Sequence, residues 1–527
     1  MDFHKNPREA GERLIMKKKF SIYFTSDTHG HIFPTNYASG RPEASGLLNM
    51  AARIKKDGNT LVLDGGDSLQ GTPLTSYYLE HRKEWPVHPV AEAFRAMGLD
   101  YVTLGNHDFN YGYQILKEYL EALGAVCLCA NVEDLRGEMK IQRETVHVLE
   151  NGLRIGITGV VTDFVNIWEP ACNLEGLRIT DPLEAAKAAC EELKDRCDVR
   201  ICIYHGGFEK DLETGALLSD SRENIACRIA EETDFDLLLT GHQHMAVEKA
   251  VLSGTYAVQS PANAGKMLLI DGETEAAETG KAAESSFKSV FLDAGAETSQ
   301  EPYGKLLPLE KQVQSWLDLP VGRLKEAIPP EEKLEAALYG SRLADLFNQI
   351  QIEATGADFS CTSLGNEPVG LDATVTMRGV TAAYLFSNTL TVLEVTEDVL
   401  QSCLERCASY FELRDGRPCI SEAFLKPKVE HYNYDFYAGL SYTFDLRRPV
   451  GERVTRLTRL DGSPLGKERY RLCVSNYRAT GTGGYALLRD CPVIWQGTEE
   501  IPELIRNYIA ERGPVAVAQN KKIEVLW

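Results

Sequence analysis

The stretch FDLLLTGHQH, residues 235–244, joins a short apolar run to two histidines. Consecutive apolar residues over this length are typical of strands that are buried on both faces of a parallel sheet. Side chains that directly follow such a strand lie at its carboxyl end, which is the edge where open α/β sheets bind ligands. The stretch therefore predicts a strand of an α/β sheet that ends in metal-ligating or catalytic side chains.

Five similar runs precede this stretch, and helix-like segments separate them. The strand-like runs are 20–26, 59–66, 100–106, 152–160 and 199–205. The helix-like segment 89–98 ends at Gly98, and the segment 181–197 begins with Asp181 and Pro182. These are residues that commonly stop and start helices. The alternation predicts an α/β layered domain.

The pattern changes after residue 270. Residues 271–287 are acidic and poor in apolar residues, which predicts a surface loop, and 301–320 is amphipathic and bounded by prolines, which predicts a connecting helix. Helix-like and strand-like segments then follow at 341–356, 396–411, 439–446 and 469–477. We therefore expect a first domain over 17–300, a linker helix over 301–320 and a second domain over 321–527.

Composition and charge exclude several classes of protein. The chain has 527 residues, of which 43% are hydrophobic and 25% charged, which is typical of globular proteins and not of disordered or fibrous ones. At roughly 100–200 residues per domain, this length predicts more than one domain. No run approaches the ~20 apolar residues of a membrane span. The net charge of −21 argues against binding to long nucleic acid, but not against small anionic substrates.

The beginning of the chain and the cysteines both bear on localisation. The first 16 residues are polar and mixed in charge, and do not resemble a secretory signal. The 13 cysteines include no CxxC pair, which favours reduced thiols over a disulfide framework. We therefore expect a cytoplasmic protein.

Metal-ligating side chains follow five of the predicted strands. In chain order they are Asp27 and His29, Asp67, Asn106 with His107 and Asp108, His205, and His242 with His244. A lone Asp-x-His or Gly-Asp pair is more often turn chemistry than a metal site. However, five of the 11 histidines lie in these groups, and chance does not readily place them all at strand ends. The set therefore indicates one polar site at a sheet edge.

The residue types suit two metal ions. Two-metal hydrolases hold their ions about 3.5–4 Å apart and need a bridging carboxylate, for which Asp67 is the natural choice. One site would be completed by Asp27, His29 and His244, and the other by Asn106, His205 and His242. Mixed nitrogen and oxygen ligands favour Mn, Fe, Co, Ni or Zn over Mg or Ca. A bridging hydroxide would then attack phosphorus in line.

His107 has no place in this ligand count. We expect it to face the substrate, to stabilise the phosphoryl oxygens and to protonate the leaving oxygen. Asp108, the next residue, would orient it.

These motifs resemble the signature blocks of the calcineurin-like metallophosphatase superfamily, in their usual order. The matching blocks are Asp27-x-His29, Gly66-Asp67, Gly105-Asn106-His107-Asp108, His205 and Gly241-His242-x-His244. The resemblance spans about 20–265 and implies a four-layer αββα sandwich. The whole chain resembles two-domain nucleotidases, in which a C-terminal α+β domain binds the nucleoside.

Three segments of the second half resemble the 2′,3′-cyclic-nucleotide 2′-phosphodiesterase/3′-nucleotidase branch of that family. They are 384–390, 432–435 and 476–481. The 5′-nucleotidase branch usually carries a Gly-Gly-Gly-Ile-Arg block and a Gly-Gly-Asp-Gly-Tyr block. Here the corresponding residues 362–367 lack the arginine and 481–485 lack the aspartate. Both departures weaken an assignment to the 5′-nucleotidase branch.

The resemblance also implies a nucleoside site. Tyr477 is one candidate face for stacking on the base, and either Tyr432 or Tyr434 is the other. Stacking of this kind contributes about 1–3 kcal/mol per base. Asn476 belongs to the same segment as Tyr477. Arg478 would contact a phosphate or ribose, or would only pair with a carboxylate.

We therefore expect a dimetal phosphohydrolase of small nucleotides that opens 2′,3′-cyclic nucleotides and removes the remaining 3′-phosphate. Two divalent ions are the expected cofactors, and neither long nucleic acid nor a membrane is an expected partner. The alternatives are a 5′-nucleotidase or nucleotide-sugar hydrolase, a nuclease, and a nucleotide-binding module without catalysis. The charge argues against the nuclease, and the intact Asp67, Asn106 and His107 argue against the non-catalytic module. The sequence does not indicate the oligomeric state.

Overall fold

The chain divides into two compact units, each with its own core. The computed structural model describes residues 17–218, 222–275, 285–386, 388–426, 428–519 and 521–527. Unit 1 contains the described residues up to Pro34, then 43–70 and 78–306. Unit 2 contains Thr35–Pro42, Gly71–Tyr77 and Leu307–Trp527. The first 16 residues, which carry the prediction about a secretory signal, lie outside the described residues.

The strands in the first 300 residues are short. In chain order they are β1 (Lys17–Thr25), β2 (Thr35–Asn36), β3 (Arg41–Pro42), β4 (Thr60–Asp64), β5 (Tyr101–Val102), β6 (Val126–Leu128), β7 (Val132–Asp134), β8 (Ile141–Gln142), β9 (Glu144–Val148), β10 (Arg154–Val161), β11 (Leu177–Ile179), β12 (Val199–His205), β13 (Leu237–Thr240), β14 (Val247–Leu252), β15 (Thr255–Gln259), β16 (Lys266–Glu275) and β17 (Ser285–Asp293). The helices are α1 (Leu47–Arg53), α2 (Pro73–His81), α3 (Pro89–Met97), α4 (Gly112–Leu123), α5 (Val165–Trp168), α6 (Pro182–Leu193), α7 (Ala226–Glu232) and α8 (Gln300–Leu317).

The remaining elements belong to unit 2. Its later strands are β18 (Pro320–Arg323), β19 (Phe359–Ser363), β20 (Thr374–Thr376), β21 (Thr389–Val395), β22 (Phe411–Arg414), β23 (Arg417–Ile420), β24 (Asp435–Ala438), β25 (Leu440–Asp445), β26 (Val454–Arg459), β27 (Tyr470–Ser475), β28 (Val493–Glu500) and β29 (Lys522–Leu526). Its later helices are α9 (Lys333–Tyr339), α10 (Arg342–Thr355), α11 (Met377–Ala383), α12 (Glu397–Ala408), α13 (Asn476–Ala479), α14 (Ala486–Arg489) and α15 (Ile501–Glu511).

Unit 1 is built on two sheets. The seven-stranded sheet has the order β17-β16-β1-β4-β5-β6-β8, and the six-stranded sheet has the order β14-β15-β13-β12-β10-β9. The strands from β1 to β8 along the first sheet run parallel, as do β10, β12, β13 and β15 in the second. Their carboxyl ends therefore meet at one edge of each sheet.

One apolar core lies between these sheets. Alternate residues of a strand point to the same face, so every second side chain of the central strands enters this core. The first sheet contributes Phe20, Ile22, Phe24, Leu61 and Leu63, and the second contributes Ile155, Ile157, Ile201, Ile203, Leu237 and Leu239. Full burial of each such side chain contributes about 1.5–3 kcal/mol.

Helices cover the outer faces of both sheets. Cys202 and Tyr204 of β12 pack with the buried residues of α6 and α7. On the other side, the hydroxyl of Tyr23 in β1 accepts a hydrogen bond from the backbone of Lys55, just after α1, over 3.2 Å. The order of layers is helix, sheet, sheet, helix, which confirms the predicted αββα sandwich.

Unit 2 is an α+β fold. Its five-stranded sheet has the order β24-β19-β27-β21-β28, and a three-stranded sheet has the order β26-β25-β29. Leu343, Phe347 and Ile350 from one side of α10 share a core with Phe359 of β19 and Leu404 of α12. The predicted helices and strands of this half are thus present.

Two short segments from the first 80 residues group with unit 2 and not with unit 1. The hydroxyl of Tyr37 donates to Oε2 of Glu310 in α8 over 2.8 Å. The ring of Tyr77 packs on Trp316 in the same helix, with 5.3 Å between centroids. The predicted domain ranges were continuous, because the sequence pattern gives no sign of these long-range contacts.

The prediction of a surface loop over 271–287 is wrong at both of its ends. Residues 271–275 continue β16, and 285–287 begin β17, which pairs with it. The acidic residues alternate with buried ones on these strands, which the low apolar content concealed. Residues 276–284 lie outside the described part of the chain. Among the described residues, no helix is long and apolar enough to cross a bilayer.

Candidate dimetal site

The predicted ligands of unit 1 come together at the carboxyl ends of its parallel strands. They follow β1, β4 and β5 in the first sheet, and β12 and β13 in the second. The residues are Asp27, His29, Asp67, Asn106, His205, His242 and His244. Segments that are far apart in the sequence thus contribute to each group of neighbours described below: two segments to the first group and four to the second.

One group consists of Asp27, His29 and His244. The Nε2 atoms of His29 and His244 are 3.0 Å apart, and Nε2 of His244 is 3.4 Å from Oδ1 of Asp27. Asp27 is fully buried, whereas His244 is exposed. The three potential ligand atoms therefore converge on one point near the surface of the unit.

The second group contains Asp67, Asn106, His205 and His242. Nε2 of His205 is 3.2 Å from Oδ2 of Asp67 and 3.2 Å from Oδ1 of Asn106. The same Asn106 oxygen is 2.8 Å from Nδ1 of His242. Asp27 also joins Asp67 and His205, with ligand atoms all within 4.8 Å of one another. Asp27 is thus the carboxylate that belongs to both clusters of potential ligands, and the assignment of Asp67 as the bridge stays a prediction.

These separations fit metal coordination. Two ligands at about 2.1 Å from one ion, with an angle of about 90–110° between them, are about 3.0–3.4 Å apart. The observed contacts between neighbouring ligand atoms run from 2.8 to 3.4 Å. The donor set of imidazole, carboxylate and amide oxygen also suits Mn, Fe, Co, Ni or Zn. The residues therefore fit two divalent ions.

Carbonyl oxygens fix the tautomers of two histidines. Nδ1 of His29 is 3.0 Å from the carbonyl of Gln70, and Nδ1 of His205 is 2.6 Å from the carbonyl of Gly65. A carbonyl can only accept, so each Nδ1 carries the proton. The Nε2 lone pairs are then directed at the other ligands, as a metal-binding imidazole requires.

The backbone at the site is held in an unusual conformation. Nine described residues other than glycine have a positive φ, and five of them are predicted ligands. Those five are Asp27, His29, Asp67, His242 and His244, with φ from 48° to 71°. Such conformations are costly for side chains with a Cβ, and cluster at functional sites. The backbone conformation at these five residues therefore lowers the stability of the fold but orients their side chains toward the site.

Glycines allow the ligand loops to approach one another. A Cβ on Gly105 would lie 2.2 Å from Oδ1 of Asp67, and a Cβ on Gly241 would lie 2.6 Å from Oδ2 of Asp27. Gly66, with φ of 89°, has the backbone of Gly105 at 2.2 Å from the same ideal position. Glycine is therefore required at these positions, because a carboxylate or another stretch of backbone occupies the space that a Cβ would need.

Electrostatics favour a cation at this place. Burial alone would raise the pKa of Asp67, but the imidazoles of His205, His107 and His29 hold it well below its usual range. Burial lowers the pKa of His29 to about 3, which keeps that ring neutral. By contrast, although burial opposes it, Asp67 raises the pKa of His205 to about 10, so a bound cation would take the place of the proton on Nε2. The paired buried carboxylates thus draw positive charge into the site.

His107 stands beside these groups without joining them. Its backbone N–H donates to Oδ1 of Asp67 over 2.7 Å, and its ring lies 5.6 Å from that of His29. Nδ1 of His107 is 2.9 Å from Oδ1 of Asn110. The ring is partly exposed, and is therefore placed to meet a substrate.

The prediction that Asp108 orients the ring of His107 is wrong. The carboxylate of Asp108 is buried and accepts backbone N–H bonds from Gly105, Asp67, Ser68 and Leu69 over 2.9–3.2 Å. It therefore ties two ligand loops together. The partner of the His107 ring is Asn110, because the short 3-10 helix over Asn106–Phe109 turns Asp108 inward.

Sequence reasoning missed four residues around the site. Nε2 of His242 is 2.9 Å from Oε1 of Glu223, and the ring of His242 stacks on Trp168 with 5.4 Å between centroids. Asn110 in turn donates to Glu169 over 2.5 Å. Glu223, Trp168 and Glu169 follow no sheet strand directly, so the strand-end pattern could not find them. The position of Asn110, one turn after His107, was the one available signal.

Unit 2 holds the predicted nucleoside residues. Tyr477, in α13, is 37% exposed, and Tyr432, just before β24, is partly exposed. Both tyrosines lie near Arg478, which donates to the backbone carbonyl of Tyr432 over 3.0 Å and lies 5.7 Å from the centre of the Tyr477 ring. The side chain of Asn476 accepts a hydrogen bond from the backbone of Thr389. Tyr432 and Tyr477 remain candidates for stacking on a base.

Tyr434 and Arg478 are removed from the candidate surface, since both side chains are only 3% exposed. The hydroxyl of Tyr434 donates to the carbonyl of Ala337 within the core. Arg478 makes two bonds to Asp435, at 2.8 and 2.9 Å, and also donates to the carbonyls of Thr482 and Tyr432. Pairing with a carboxylate is therefore the role that Arg478 has in this fold.

Two protein families match separate parts of the chain. Residues 20–246 match the calcineurin-like phosphoesterase family, and residues 320–490 match the 5′-nucleotidase C-terminal domain. All the potential metal ligands lie in the first range, and Tyr432 and Tyr477, the two candidates for stacking, lie in the second.

Several known proteins are similar over nearly the whole chain. The 2′,3′-cyclic-nucleotide 2′-phosphodiesterase/3′-nucleotidase of Haemophilus influenzae is 25% identical over 586 residues, covering 96% of this chain and 86% of that protein. The trifunctional nucleotide phosphoesterase protein YfkN of Bacillus subtilis is 26% identical over 591 residues, covering 99% of this chain, which spans only 39% of YfkN. A Staphylococcus aureus protein, solved in complex with alpha-ketoglutarate, has a TM-score of 0.85 and 29% identity, covering 97% of this chain and 100% of that one.

Proposed function

Because the chain belongs to the family that joins a calcineurin-like phosphoesterase domain to a 5′-nucleotidase C-terminal domain, and is a metal-dependent phosphoric ester hydrolase, we propose that it hydrolyses 2′,3′-cyclic nucleotides and 3′-nucleotides. The observation that carries this proposal is the presence of two adjoining ligand groups with His107 beside them. Opening a cyclic diester and removing a monoester are the same kind of displacement at phosphorus, so one such site can serve both.

The side chains of unit 1 have distinct roles in this reaction. When bound, two divalent ions supply an activated water and neutralise charge that develops on the phosphoryl oxygens. Asp27, His29 and His244 would hold one ion, and Asp67, Asn106, His205 and His242 the other. His107 donates from Nε2 to a phosphoryl oxygen, and gives a proton to the leaving ribose oxygen.

The substrate preference is proposed from unit 2. An exposed Tyr477 and a partly exposed Tyr432 offer aromatic faces to a base. Residues 362–367 and 481–485 lack the arginine and the aspartate of the usual 5′-nucleotidase blocks. The Haemophilus influenzae relative, a 2′,3′-cyclic-nucleotide 2′-phosphodiesterase/3′-nucleotidase, supports the same preference. The predicted cytoplasmic location stays a prediction.

A 5′-nucleotidase or nucleotide-sugar hydrolase is the second candidate. The match of residues 320–490 to the 5′-nucleotidase C-terminal domain favours it. Both candidates use the same metal groups, so they differ only in how the nucleoside is held relative to the scissile phosphate.

Phosphate release from a matched panel tests the proposal. The Mn-loaded protein is assayed with 2′,3′-cyclic AMP, 3′-AMP, 5′-AMP, UDP-glucose and bis-p-nitrophenyl phosphate. We expect strong turnover of the first two and little of 5′-AMP or UDP-glucose. Dominance of 5′-AMP would support the second candidate, and no turnover of any nucleotide would contradict both. The same protein stripped with a chelator, then reloaded with Mn, serves as the control.

A further inference from the structure

A line of hydrogen bonds leads from the ring of His107 to a carboxylate. Nδ1 of His107 is 2.9 Å from Oδ1 of Asn110, and Nδ2 of Asn110 is 2.5 Å from Oε1 of Glu169. The other oxygen of Glu169 accepts from Nδ2 of Asn173 over 2.8 Å. That same Nδ2 also donates to the backbone carbonyl of Asn110 over 2.8 Å.

The direction of each bond in this line follows from its ends. The carbonyl of Asn110 can only accept, so Asn173 must present its amide N–H groups to it and to Glu169. Burial raises the pKa of Glu169, and the amides of Asn173 and Asn110, which donate to its two oxygens, oppose that rise. With Glu169 accepting from both amides, Asn110 turns its N–H₂ toward Glu169 and its oxygen toward His107. Nδ1 of His107 is then the donor. Nε2 is left as the ring atom that faces away from the protein.

We propose that Glu169, acting through Asn110, is a positioning residue that holds a proton on Nδ1 of His107 and so makes Nε2 the ring atom that exchanges its proton with the substrate. This proposal rests on the proposed function, in which Nε2 of His107 meets the substrate. Without Glu169, the amide of Asn110 could turn over and offer N–H to the ring, which would displace the proton from Nδ1 and leave a neutral ring whose Nε2–H is too weak an acid to donate.

The local fold supports this role for Glu169. It directly follows the short helix α5 and donates its backbone N–H to the carbonyl of Val165 over 2.9 Å. The preceding residue, Trp168, stacks on His242, one of the potential metal ligands. The position of Glu169 is thus fixed by its backbone hydrogen bond, by the side-chain amides of Asn110 and Asn173, and by the stacking of the preceding Trp168. These contacts keep its carboxylate against Asn110.

The chemical step explains why a proton held on Nδ1 of His107 matters for catalysis. In the hydrolysis of a monoester, a hydroxide oxygen derived from water bonds to phosphorus, and the bond from phosphorus to the ribose oxygen breaks. The reacting ring carries a proton on each nitrogen: the ribose oxygen takes the proton from Nε2, while Nδ1 keeps its own proton in the hydrogen bond to Asn110. The second proton of the water goes to solvent, and Nε2 is reprotonated from solvent. A ribose alkoxide needs this proton, whereas p-nitrophenolate leaves without it.

This difference between leaving groups gives the test. Glu169→Gln is compared with wild type on 3′-AMP and on p-nitrophenyl phosphate, both Mn-loaded. We expect kcat for 3′-AMP to fall roughly 10- to 100-fold with KM within about twofold, because general acid catalysis contributes 10²–10⁴-fold and is here only weakened. The kcat for p-nitrophenyl phosphate should change less than about threefold. Equal losses on both substrates would overturn the proposal.

Two further variants separate positioning from a general effect on folding. Glu175→Gln makes the same change on an exposed glutamate nearby and should leave both activities unchanged. Asn110→Asp combined with Glu169→Gln places a carboxylate directly against His107, and should recover most of the turnover of 3′-AMP. No recovery in this double variant, with its metal content and Tm intact, would contradict a role for the carboxylate.

A spectroscopic measurement keeps the inference separate from the proposed function. In the Zn-loaded protein, the ¹⁵N shifts of His107, identified by difference against His107→Asn, report which ring nitrogen carries the proton. Protonated Nδ1 in wild type, with a changed pattern in Glu169→Gln, is the expected result. A wild-type ring with a proton on Nε2 but none on Nδ1 would overturn the inference even if every nucleotide were hydrolysed. The expected pattern would support it even if 3′-AMP were not a substrate.

Discussion

The backbone N–H of His107 donates to Oδ1 of Asp67, while Oδ2 of the same carboxylate lies 3.2 Å from Nε2 of His205. One side chain thus ties the proposed general acid to a group of potential metal ligands. The backbone of the proposed acid is therefore anchored to the metal groups by a buried carboxylate, in addition to the tie that Asp108 makes between the two loops.

Replacing Asp67 with Asn should abolish activity in a folded protein. A neutral amide cannot balance the charge of neighbouring cations, and loss of such stabilisation costs roughly 10³-fold or more in kcat. Phosphate release, metal content by mass spectrometry and thermal unfolding measure the three consequences. Asp293→Asn, at an exposed position of the same unit, is the matched control. Appreciable turnover by the Asp67 variant would show that this carboxylate is not shared between the ions.

Replacing Tyr477 with Ala should raise KM for nucleotides about tenfold, since stacking contributes about 1–3 kcal/mol per base. Hydrolysis of p-nitrophenyl phosphate, which has no base, should hardly change. Tyr339→Ala removes another exposed tyrosine of unit 2 and should affect neither substrate. If Tyr477→Ala reduced turnover of both substrates equally, its ring would be a packing element of the fold.

Replacing Arg478 with Ala should destabilise unit 2 and not act on substrate affinity. The change leaves Asp435 buried without its partner, which costs about 3–5 kcal/mol in the free energy of unfolding. Guanidinium unfolding followed by fluorescence measures this loss. Arg456→Ala breaks an exposed pair with Glu524 and should cost no more than about 1 kcal/mol. A stable Arg478 variant with a raised KM would instead mean that the guanidinium reaches the substrate.

The stability of unit 1 should fall as the pH drops from about 6.5 to about 4, in part through His88. Burial lowers the pKa of His88 to about 4, and its Nε2 has no hydrogen-bond partner among the described residues. The unfolded chain therefore binds a proton in this window that the folded chain does not, and stability is lost with falling pH. At pH 5 the loss from this group is about 2 kcal/mol.

His88→Asn tests that linkage. Asparagine keeps an acceptor for the backbone N–H of Ala91 at the start of α3, but does not titrate in this range. The difference in unfolding free energy between pH 7 and pH 5 should be smaller in the variant than in wild type. An identical difference in both proteins would mean that His88 is solvated in the folded state.

The sequence was sufficient to predict the parts of the site that follow buried strands. The apolar runs before Asp27, Asp67 and His205 predicted both the sheets and the edge where these residues meet. It could not show that Asp108 turns inward while Asn110 meets His107, because the 3-10 turn between them leaves no periodic pattern. Nor could it show that Arg478 is buried, since only the pairing of β19 with β24 places Asp435 beside it.

The two segments that join unit 2 from early in the chain bear on the order of folding. Tyr37 leaves the ribosome 273 residues ahead of Glu310, to which it donates in the finished protein. Unit 2 therefore cannot complete its packing until α8 has been synthesised, because only then can Tyr37 reach Glu310 and Tyr77 reach Trp316. A fragment that begins at residue 307 would lack both tyrosines, and the ring of Trp316 would lose its packing against Tyr77. No single continuous stretch of the gene therefore encodes the whole of unit 2.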